Sequence, residues 1–573
     1  MASRPTPLQA PRRSSARGAS VAVRAAVVGG GVRAQTAAEG DAKPPRRRGK
    51  CRVTVDVTAC RYAIIRRCLR ERDFRLVKKT TSGDGTGALL PAKWDIWWSD
   101  RGDLLRELPR LSPFQKVNHF PSMEEICRKD FLANNLNAIY KVIPSDFDFF
   151  PRSFLVPAES VELQKAMENA PKNATYIVKP RTLCQGKGIS LIQSFSKLPQ
   201  NEPCVVQRYI DNPLLIDGLK FDLRIYVLVY SVNPLKIFIF KNGLARFCTT
   251  PFQTPTWKNI NKKRMHLTNY AINKRSRDFQ QAKNGSDTQA SKRSVASVLQ
   301  GLEETGRCSS SNVWSQINDI VIKTLLCIEP KLQASYKSYF GSNEADEALW
   351  GPKCFEILGF DIMLDANGKA WLFEVNHAPS FAGDSPLDRE IKTALISGTL
   401  DIVGVTNKKK LKYVKQQRSE WTKRLWSSQV QTGKKEATGT SGNNNADKEP
   451  VDVVKPGGKE QDPAADSESE VEQDGHGDES DKKESDNDHT DVEEDEDPEG
   501  MAHHEKTRLS NVLFKRNRVV PAPEPVAASA ATTPSVSNEF VLLFPVEQNA
   551  HPLWQCYDRV REAAQVNRSK LWS

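Results

Sequence analysis

The chain has 573 residues, a formal net charge of +13 and 38% hydrophobic residues, so it is long enough for several domains with a large core. No apolar run approaches the roughly eighteen residues that a bilayer requires, so the sequence predicts no membrane span. Eleven cysteines occur without a CxxC pair or a Cys/His spacing typical of zinc. They indicate neither a structural zinc site nor a disulfide framework, and they fit a reducing cytosol.

The charges are segregated along the chain. Residues 460–499 hold twenty acidic residues against two lysines, a net charge of −18, which leaves +31 for the rest of the protein. A basic body indicates a polyanionic partner. The composition alone leaves this partner open between nucleic acid, an anionic membrane surface and an acidic protein.

Residues 1–50 are predicted to form a disordered basic tail, with a transit peptide as the alternative because six arginines precede the first acid, Glu39. Residues 51–145 are predicted to form an α/β domain, which begins with the strand-like CRVTVDVTAC. Ser122 and Glu125 have the spacing of a capping box for a later helix. The first helix is predicted from the helical spacing of Ile64, Ile65, Cys68 and Leu69, and FRLV begins the next strand.

Residues 146–215 are predicted to form a central domain around a phosphate-binding loop. The sequence ATYIVKPRTLCQGKGISLIQS predicts a strand that ends at Lys179, a loop from Gln185 to Gly188, and a second strand. Glycines in such a loop let backbone amides approach phosphate oxygens, and lysines supply positive charge. A further strand leads to a predicted hinge at residues 207–210.

Residues 216–405 are predicted to form a C-terminal antiparallel-sheet domain. Lys220, Asp222 and Arg224 alternate with apolar residues and therefore share one face of a strand. Because the residues that follow are nearly all apolar, as in a buried strand, these charges are expected to line a cleft. Asn242-Gly243 predicts the turn between two further strands, and residues 309–339 predict a core helix.

A hairpin in this domain has the features of a metal site. Its two strands flank Asn367-Gly368, which favours a type I′ turn and places Asp361 opposite Glu374. Glu374 and Asn376 then point the same way as Asp361, and such carboxylate and amide oxygens suit Mg²⁺. The alternative is a surface hairpin with two solvated acids. The same register pairs Ile362 with Phe373, and the residues predicted to face the core are Phe360, Ile362, Leu364, Trp371 and Phe373.

After the hairpin, LDREIKTALISGTLDIVG predicts a closing helix and strand, and residues 406–426 predict a basic helix with interleaved aromatic residues. Residues 427–510 are polar and acidic, and they are predicted to be a disordered linker. Residues 511–573 are predicted to be a tail that ends in a short amphipathic segment. That segment is expected either to dock on the core or to bind a partner.

Several motifs follow one another in a fixed order: W-x-x-x-W-x-D from Trp94, N-H-F-P from Asn118, C-R-K up to Lys129, and the hairpin segment Cys354–Asp388. In this order they resemble the tubulin tyrosine ligase-like enzymes, and most closely the polyglutamylase branch, over about residues 51–405. The resemblance implies an α/β (α+β) chain with an ATP-grasp fold. The three segments described above would be its N-terminal α/β domain, central domain and C-terminal antiparallel-sheet domain, flanked by disordered tails.

The same resemblance implies roles for individual residues. Asp361, Glu374 and Asn376 are expected to hold Mg²⁺, as two ions, together with ATP, while Lys129 and Arg224 are expected to act in catalysis by neutralising phosphate charge. The residues expected to bind the nucleotide are Lys179, Gln185, Gly186, Gln207, Arg208, Tyr209, Ile210, Lys220, Phe221, Asp222, Thr268 and Asn269. Those expected to bind the incoming glutamate are Arg246, Tyr270 and Lys292.

By this resemblance the protein is expected to be an ATP-dependent tubulin glutamate ligase. ATP would phosphorylate a carboxylate of an acidic tubulin tail, and the amine of free glutamate would attack the resulting acyl phosphate. The expected location is the cytoplasm and cytoskeleton, with the cilium or basal body as further candidates, and no nucleic-acid partner is expected. The alternatives are a glycine or tyrosine ligase on the same scaffold, or a non-catalytic module that binds microtubules or nucleic acid. A further hypothesis is that the basic helix binds microtubules and that residues 460–499 compete for it.

Overall fold

The computed structural model describes residues 51–77, 94–101, 111–181, 183, 186–199, 202–341, 344–436, 539–545 and 553–572, without the side chains of 428–436 and 568–572. The predicted N-terminal tail, the acidic run and the loop residue Gln185 lie outside these residues. Within them, no helix combines the length and the apolar sequence needed to cross a membrane.

The first described segment forms a small parallel sheet with the strand order β2-β1-β3-β4. Its elements are β1 (Thr54–Asp56), α1 (Ala63–Glu71), β2 (Arg75–Leu76), β3 (Ile96–Trp97) and β4 (Lys116–Val117). The predicted strand–helix–strand unit is confirmed, because the apolar residues at helical spacing are the buried face of α1.

The predicted capping box at Ser122 is wrong. Ser122 has a left-handed backbone, with φ +65°, whereas an N-cap residue takes an extended conformation. Its hydroxyl oxygen lies 2.7 Å from that of Ser335 instead of capping a helix. The helices that follow are α2 (Glu124–Cys127) and α3 (Lys129–Tyr140), and a short 3₁₀ helix spans Pro144–Asp146.

A second sheet is antiparallel and has the order β5-β8-β6-β7. Its elements are β5 (Ser153–Val156), α4 (Ser160–Glu168), β6 (Tyr176–Pro180), β7 (Ser190–Ile192) and β8 (Cys204–Arg208), with a 3₁₀ helix at Phe195–Lys197. The hairpin β6–β7 carries the predicted phosphate loop at its turn. Phe154, Leu163 and Val206 belong to a separate small core between this sheet and α4.

The largest sheet is antiparallel and has the order β12-β11-β10-β13-β14, with β9 paired to β10 and β15 paired to β11. Its strands are β9 (Leu215–Ile216), β10 (Leu219–Val232), β11 (Leu235–Phe247), β12 (Lys292–Ser294), β13 (Glu356–Leu364), β14 (Ala370–Asn376) and β15 (Phe540–Phe544). The helices around it are α5 (Lys263–His266), α6 (Tyr270–Asn273), α7 (Val295–Glu304), α8 (Ser310–Phe340), α9 (Glu344–Trp350) and α10 (Pro386–Val403).

Both faces of the largest sheet are covered. Alternate residues of β10, such as Leu223 and Ile225, pack into a core with α8, whereas Tyr226 and Leu228 pack on the other face with α10. A strand covered on both sides reads as a nearly continuous apolar run, which explains the sequence of β10. The predicted core helix is confirmed as α8.

Two predicted connections of this sheet are wrong. Asn242-Gly243 lies inside β11, and β10 turns into β11 around Asn233 instead. Gly243 is required by a close approach, since a Cβ atom there would lie 2.3 Å from the carbonyl oxygen of Arg224. The predicted strand after the closing helix is absent from the described residues, because α10 runs without a break to Val403 and ends at Gly404 in a left-handed C-cap.

The C-terminal segment docks on the core, which settles one of the two alternatives left by the sequence. β15 pairs with residues 237–240 of β11, and the last helix, α12 (Trp554–Trp572), packs against α8. Phe540 and Tyr557 are buried in these contacts, and Arg561 forms an ion pair with Glu329 at 2.8 Å. The predicted basic helix is confirmed as α11 (Asn407–Glu436), which is longer than predicted.

Candidate active site

Asp361 of β13 lies directly opposite Glu374 of β14, as predicted, but the register has a different origin. Gly368 has φ +77° and Asn367 does not have a positive φ, so the turn is not type I′. Asp365 donates its N–H to the carbonyl of Lys369, which makes a longer loop and pairs Leu364 with Ala370. A β-bulge next to Asp361 then shifts the register back by one residue.

The bulge makes part of the predicted core wrong. Ile362 faces Leu372 instead of Phe373, and Leu372 takes the buried position in the core. Phe373 is only half-buried and lines a cavity on the opposite side of the hairpin. Trp371 is also half-buried, and its indole N–H donates to Asp365 at 3.0 Å. Beyond the bulge, Leu372 therefore replaces Phe373 as the residue that packs into the core.

The cavity beside the hairpin is the place where most predicted nucleotide-binding residues meet. It is lined by side chains from the second sheet, the largest sheet and the loop before α6. The predicted site residues among its lining are Lys179, Gln207, Arg208, Tyr209, Ile210, Lys220, Asp222, Arg246, Thr268, Asn269, Asp361 and Glu374. The structure therefore brings together residues that lie up to 195 positions apart in the chain.

A continuous network of ion pairs crosses the floor of this cavity. Arg224 binds Asp361 through two contacts, of 2.5 and 3.0 Å, and Arg246 binds Asp222 through two contacts, of 2.8 and 2.6 Å. Arg246 also reaches Asp361 at 2.9 Å, and Thr268 donates its hydroxyl to Asp222 at 2.7 Å. Each arginine presents its planar fork to a carboxylate, the geometry that guanidinium groups favour.

The network follows from strand alternation and register. Asp222 and Arg224 are two residues apart in β10 and therefore point to one face, as predicted. Asp222 lies opposite Arg246 of β11, and Arg224 lies opposite Asp361 of β13. Lys292 of β12 lies opposite Arg246 and extends the same charged row.

The electrostatics of the network fix its protonation. Burial alone would raise the pKa of Asp361, but the charges of Arg224 and Arg246 outweigh it and lower this pKa to about 2. Burial likewise disfavours the charged form of Arg246, yet Asp222 and Asp361 raise its pKa well above the ordinary value. Asp361, Arg224 and Arg246 are therefore ionised at neutral pH.

The pKa of two lysines in the same cavity is shifted in the opposite direction, toward the neutral form. Burial lowers the pKa of Lys179 and of Lys220 to about 8 in each case. The Lys179 ammonium donates to Gln207 at 2.8 Å, and that of Lys220 donates to the Tyr209 hydroxyl at 2.8 Å, so both partners are neutral. Among the described residues, neither lysine has a carboxylate within 4 Å. Desolvated cations that lack a counter-ion are suited to bind an anion.

The donor set at the hairpin fits a magnesium ion. In the orientation that satisfies its hydrogen bonds, the Asn376 amide donates to Glu374 at 3.2 Å and accepts from Arg224 at 3.2 Å. Two carboxylates and an amide oxygen are hard ligands, and Mg²⁺ in proteins is usually held by one or two carboxylates together with phosphate oxygens. Three or more His, Cys, Asp or Glu side chains do not cluster anywhere in the described part of the chain. A Mg²⁺ ion held here would complete its coordination with water or phosphate oxygens.

Several predicted site residues lie outside the lining of the cavity. Lys129 donates to the carbonyl of Leu183 at 2.7 Å, and Gly186 packs against Asn269. The nucleotide contact predicted for Phe221 is not made by its side chain, which is wholly buried in the core and stacks on Phe247. The reason is strand alternation, which turns Phe221 away from its neighbours in β10.

The remaining residues predicted to bind glutamate form a second cluster. The Lys292 ammonium lies 4.0 Å from the centre of the Tyr270 ring and 2.8 Å from Asp388. Asp388 also binds Lys392 at 2.8 Å, so two lysines share one carboxylate. The sequence analysis missed Asp388. A signal was present, because Ser385 accepts from the Asp388 N–H and the S-x-x-D spacing is that of a capping box.

The sequence matches the Tubulin-tyrosine ligase family over residues 107–412, more than half of the chain. The chain belongs to this family. The matched segment contains every residue of the charged network and of the lysine pair described above, so the predicted resemblance is confirmed.

Similar proteins carry polyglutamylase names. Mouse tubulin polyglutamylase TTLL6 is 39% identical over 373 residues, which cover 65% of this chain and 43% of that protein. Human tubulin polyglutamylase TTLL13 is 38% identical over 400 residues, covering 69% and 46%. A probable beta-tubulin polyglutamylase of Tetrahymena thermophila is 42% identical over 344 residues, covering 60% and 28%. The chain therefore spans less than half the length of these relatives.

Proposed function

We propose that this chain is an ATP-dependent ligase with an ATP-grasp fold that adds glutamate to carboxylates of acidic tubulin tails. The names of its relatives support the substrate and the amino acid. The observation that carries the proposal is the pairing, in one cavity, of two buried lysines without counter-ions and a hairpin that presents two carboxylates and an amide. These are complementary halves of a site for a magnesium nucleotide.

In this proposal ATP supplies the phosphoryl group that turns the acceptor carboxylate into an acyl phosphate. Lys179 and Lys220 bind the phosphate oxygens and balance their charge, with Lys129 at the edge of the glycine loop. Asp361, Glu374 and Asn376 are the residues that would hold Mg²⁺, as two ions. No side-chain nucleophile is required, because the amine of the incoming glutamate is the nucleophile and the protein positions it.

The incoming glutamate is assigned to the charged row at β11 and β12. Arg246 and Lys292 lie opposite each other, and Tyr270 packs beside the Lys292 ammonium. Lys292 shares Asp388 with Lys392, and the charge of Asp384 acts on both Lys292 and Tyr270, so two cations face two anions in this cluster. The preference for glutamate over glycine or tyrosine therefore rests on the names of the relatives and on Arg246 as the partner of a second carboxylate.

We assign the three sheets to the predicted domains, with residues 51–145, 146–215 and 216–405 as their bounds. The basic helix α11 is assigned to microtubule binding, and the cytoplasm and cytoskeleton are the matching location. Exposed cations on this helix, such as Lys412, Lys415 and Arg418, support an acidic partner.

The test is incorporation of one radiolabelled amino acid at a time into microtubules by the full chain, with ATP and Mg²⁺. We expect glutamate alone to be incorporated, with ADP and phosphate released. Incorporation of glycine or tyrosine would assign the other ligase activity. Microtubule co-sedimentation without incorporation of any amino acid would instead favour a binding module and contradict the proposal.

A second test separates the roles of the two cation types. Arg246→Lys keeps the positive charge but removes the guanidinium N–H proposed to donate to the glutamate carboxylate, and a lost charge-assisted hydrogen bond costs about 1.5–3 kcal/mol. The KM for glutamate should therefore rise by roughly ten- to a hundredfold, more than the KM for ATP. A larger change in the ATP value would reassign Arg246 to the phosphates.

A further inference from the structure

A basic cleft lies beside α6. It adjoins the cavity next to the β13–β14 hairpin, which is called the nucleotide cavity below because the proposed function places ATP there. Its volume is about 620 Å³, and its lining includes Gly186, Thr250, Ala271 and Ile272, which are uncharged. All the charged side chains of its lining are exposed cations: Lys187, Lys262, Lys263, Arg264 and Arg275. None of the described residues that line it is acidic.

Four cations of this cleft have no carboxylate partner among the described residues. In the described part of the chain, no carboxylate lies within 4 Å of Lys262, Lys263, Arg264 or Arg275. Arg264 donates instead to the carbonyl of Arg275 at 2.9 Å, which holds two like charges near each other. Clustered cations without counter-ions create a positive potential that attracts a polyanion.

The cleft and the nucleotide cavity share a thin wall. Asn269, the residue before α6, lines the cavity, whereas Ala271 and Ile272 of the same helix line the cleft. Gly186 closes this wall, since a Cβ atom there would lie 2.7 Å from Ile272 and 3.0 Å from the Asn269 amide oxygen. A peptide bound in the cleft therefore lies beside the site proposed for the ATP phosphates.

We infer that this cleft binds a run of carboxylates in the peptide that accepts glutamate, beside the residue that is modified. This inference rests on the proposed function and specifies which acceptors it favours. Each exposed ion pair contributes little, so affinity must come from several carboxylates bound at once. Acceptors with consecutive acidic residues are therefore favoured over acceptors with an isolated glutamate.

The chemistry of the lining favours a peptide over a single-stranded nucleic acid. Sites for single-stranded nucleic acid combine cations with aromatic side chains on which bases stack. Among its described lining residues, the cleft has no aromatic side chain. Separate ammonium and guanidinium groups on an uncharged floor match separate carboxylates.

The experiment measures binding of a fluorescent peptide with a run of glutamates to the full chain, without ATP, by anisotropy. The variant is Lys262→Gln, Lys263→Gln, Arg264→Gln, and the matched control is Lys165→Gln, Lys172→Gln, Lys197→Gln, which removes three exposed cations elsewhere. We expect the cleft variant to bind roughly tenfold more weakly, the combined loss of three exposed ion pairs. The control should bind like the unmodified chain. The difference should shrink as salt rises.

A kinetic measurement with the same proteins distinguishes the two proposals. In the cleft variant, the preference for the peptide with a run of glutamates over a peptide with one glutamate should fall by a similar factor. Equal binding by the variant and the unmodified chain would overturn the inference even if glutamate is incorporated. Tighter binding of a single-stranded oligonucleotide than of the peptide, lost in the same variant, would also overturn it. Failure of the unmodified chain to incorporate glutamate, with peptide binding intact, would overturn only the proposed function.

Discussion

Two kinds of cation lie in or beside the cavity next to the β13–β14 hairpin, and they differ in what surrounds them. Arg224 and Arg246 are each bound by carboxylates through two contacts, and their neighbours raise the pKa of both. Lys179 and Lys220 contact only neutral groups within the described residues, and burial lowers the pKa of both to about 8. The arginines are stabilised by their carboxylate partners in the free protein, whereas burial costs each charged lysine about 3 kcal/mol, judged from the lowered pKa.

This comparison predicts opposite responses to mutation. Removing an arginine leaves a buried carboxylate unpaired, which is strongly destabilising. Removing a lysine relieves a desolvation cost that the charges of nearby groups, such as Glu374 near Lys179 and Asp222 near Lys220, offset only in part. Groups that lower the stability of the free protein are candidates for binding, because a bound anion supplies the charge that the fold lacks.

The largest expected effect concerns the carboxylates that face these cations. Glu374→Gln keeps the size of the side chain but removes the charge opposite Asp361, so Mg²⁺-ATP binding should weaken and kcat/KM for ligation should fall on the order of 10²–10³-fold. The fold should survive, as judged by thermal unfolding. Exposed Glu390→Gln is the control for the same chemical change. Full activity of Glu374→Gln at ordinary Mg²⁺ concentrations would contradict the assignment of Glu374 as a Mg²⁺ ligand.

Arg246→Met tests the ion pairs of the arginines, a property separate from the role proposed for Arg246 in binding glutamate. It leaves Asp222 without its two-point partner, so the free energy of unfolding should fall by about 3–5 kcal/mol, measured by urea titration. Adding Asp222→Asn removes the stranded charge and should recover part of the loss. If the single variant is as stable as the unmodified chain, the ion pair does not have the role assigned to it.

Lys179→Met tests the lysines of the comparison. The free protein should gain about 1–3 kcal/mol in the free energy of unfolding, because a desolvated ammonium is replaced by an apolar group of similar length. ATP affinity should fall at the same time, measured by calorimetry. A loss of stability together with unchanged ATP binding would mean that this lysine stabilises the fold and does not bind ATP.

The smallest effect is a pH dependence carried by the lysines. Their pKa of about 8 lies below the ordinary value of 10.5, so between these values the unfolded chain binds more protons than the folded one. Stability should therefore rise with pH from about 8 to 10.5, while ATP affinity should fall above pH 8 as the ammonium groups lose their protons. Thermal unfolding and ATP titration across this range measure both trends. Lys179→Met should reduce the pH dependence of both stability and ATP affinity.

Local rules in the sequence were enough for much of the site. The alternation of charged and apolar residues in β10 identified Asp222 and Arg224 as neighbours on one face, since side-chain direction in a strand repeats every two residues. The same rule turns the side chain of Phe221, which lies between them, into the core. The glycine loop after Lys179 was predicted because glycines let backbone amides approach phosphate oxygens, and in the structure Gly186 and Gly188 have positive φ.

The pairing of Asp361 with Glu374 is a more instructive case. The prediction assumed a two-residue turn and a ladder without a bulge. The structure has a longer loop and a β-bulge, and each shifts the strand register by one residue in opposite directions, so the two shifts cancel. The pair was therefore predicted correctly from two wrong premises. Phe373 shows the error, because it lies on the cavity side while Leu372 takes its predicted place in the core.

By itself, the sequence determined the strands, the core helices and which residues of each strand share a face, because these depend on propensity and periodicity over a few residues. Tertiary structure alone decided which carboxylates neutralise Arg224 and Arg246, that Asp388 holds Lys292, and that residues 540–544 join β11 as a strand. Those partners lie 24 to more than 290 residues apart. These partners come together because the burial of apolar surface over the whole chain sets how the sheets are arranged. A sequence pattern over a few residues does not contain that arrangement.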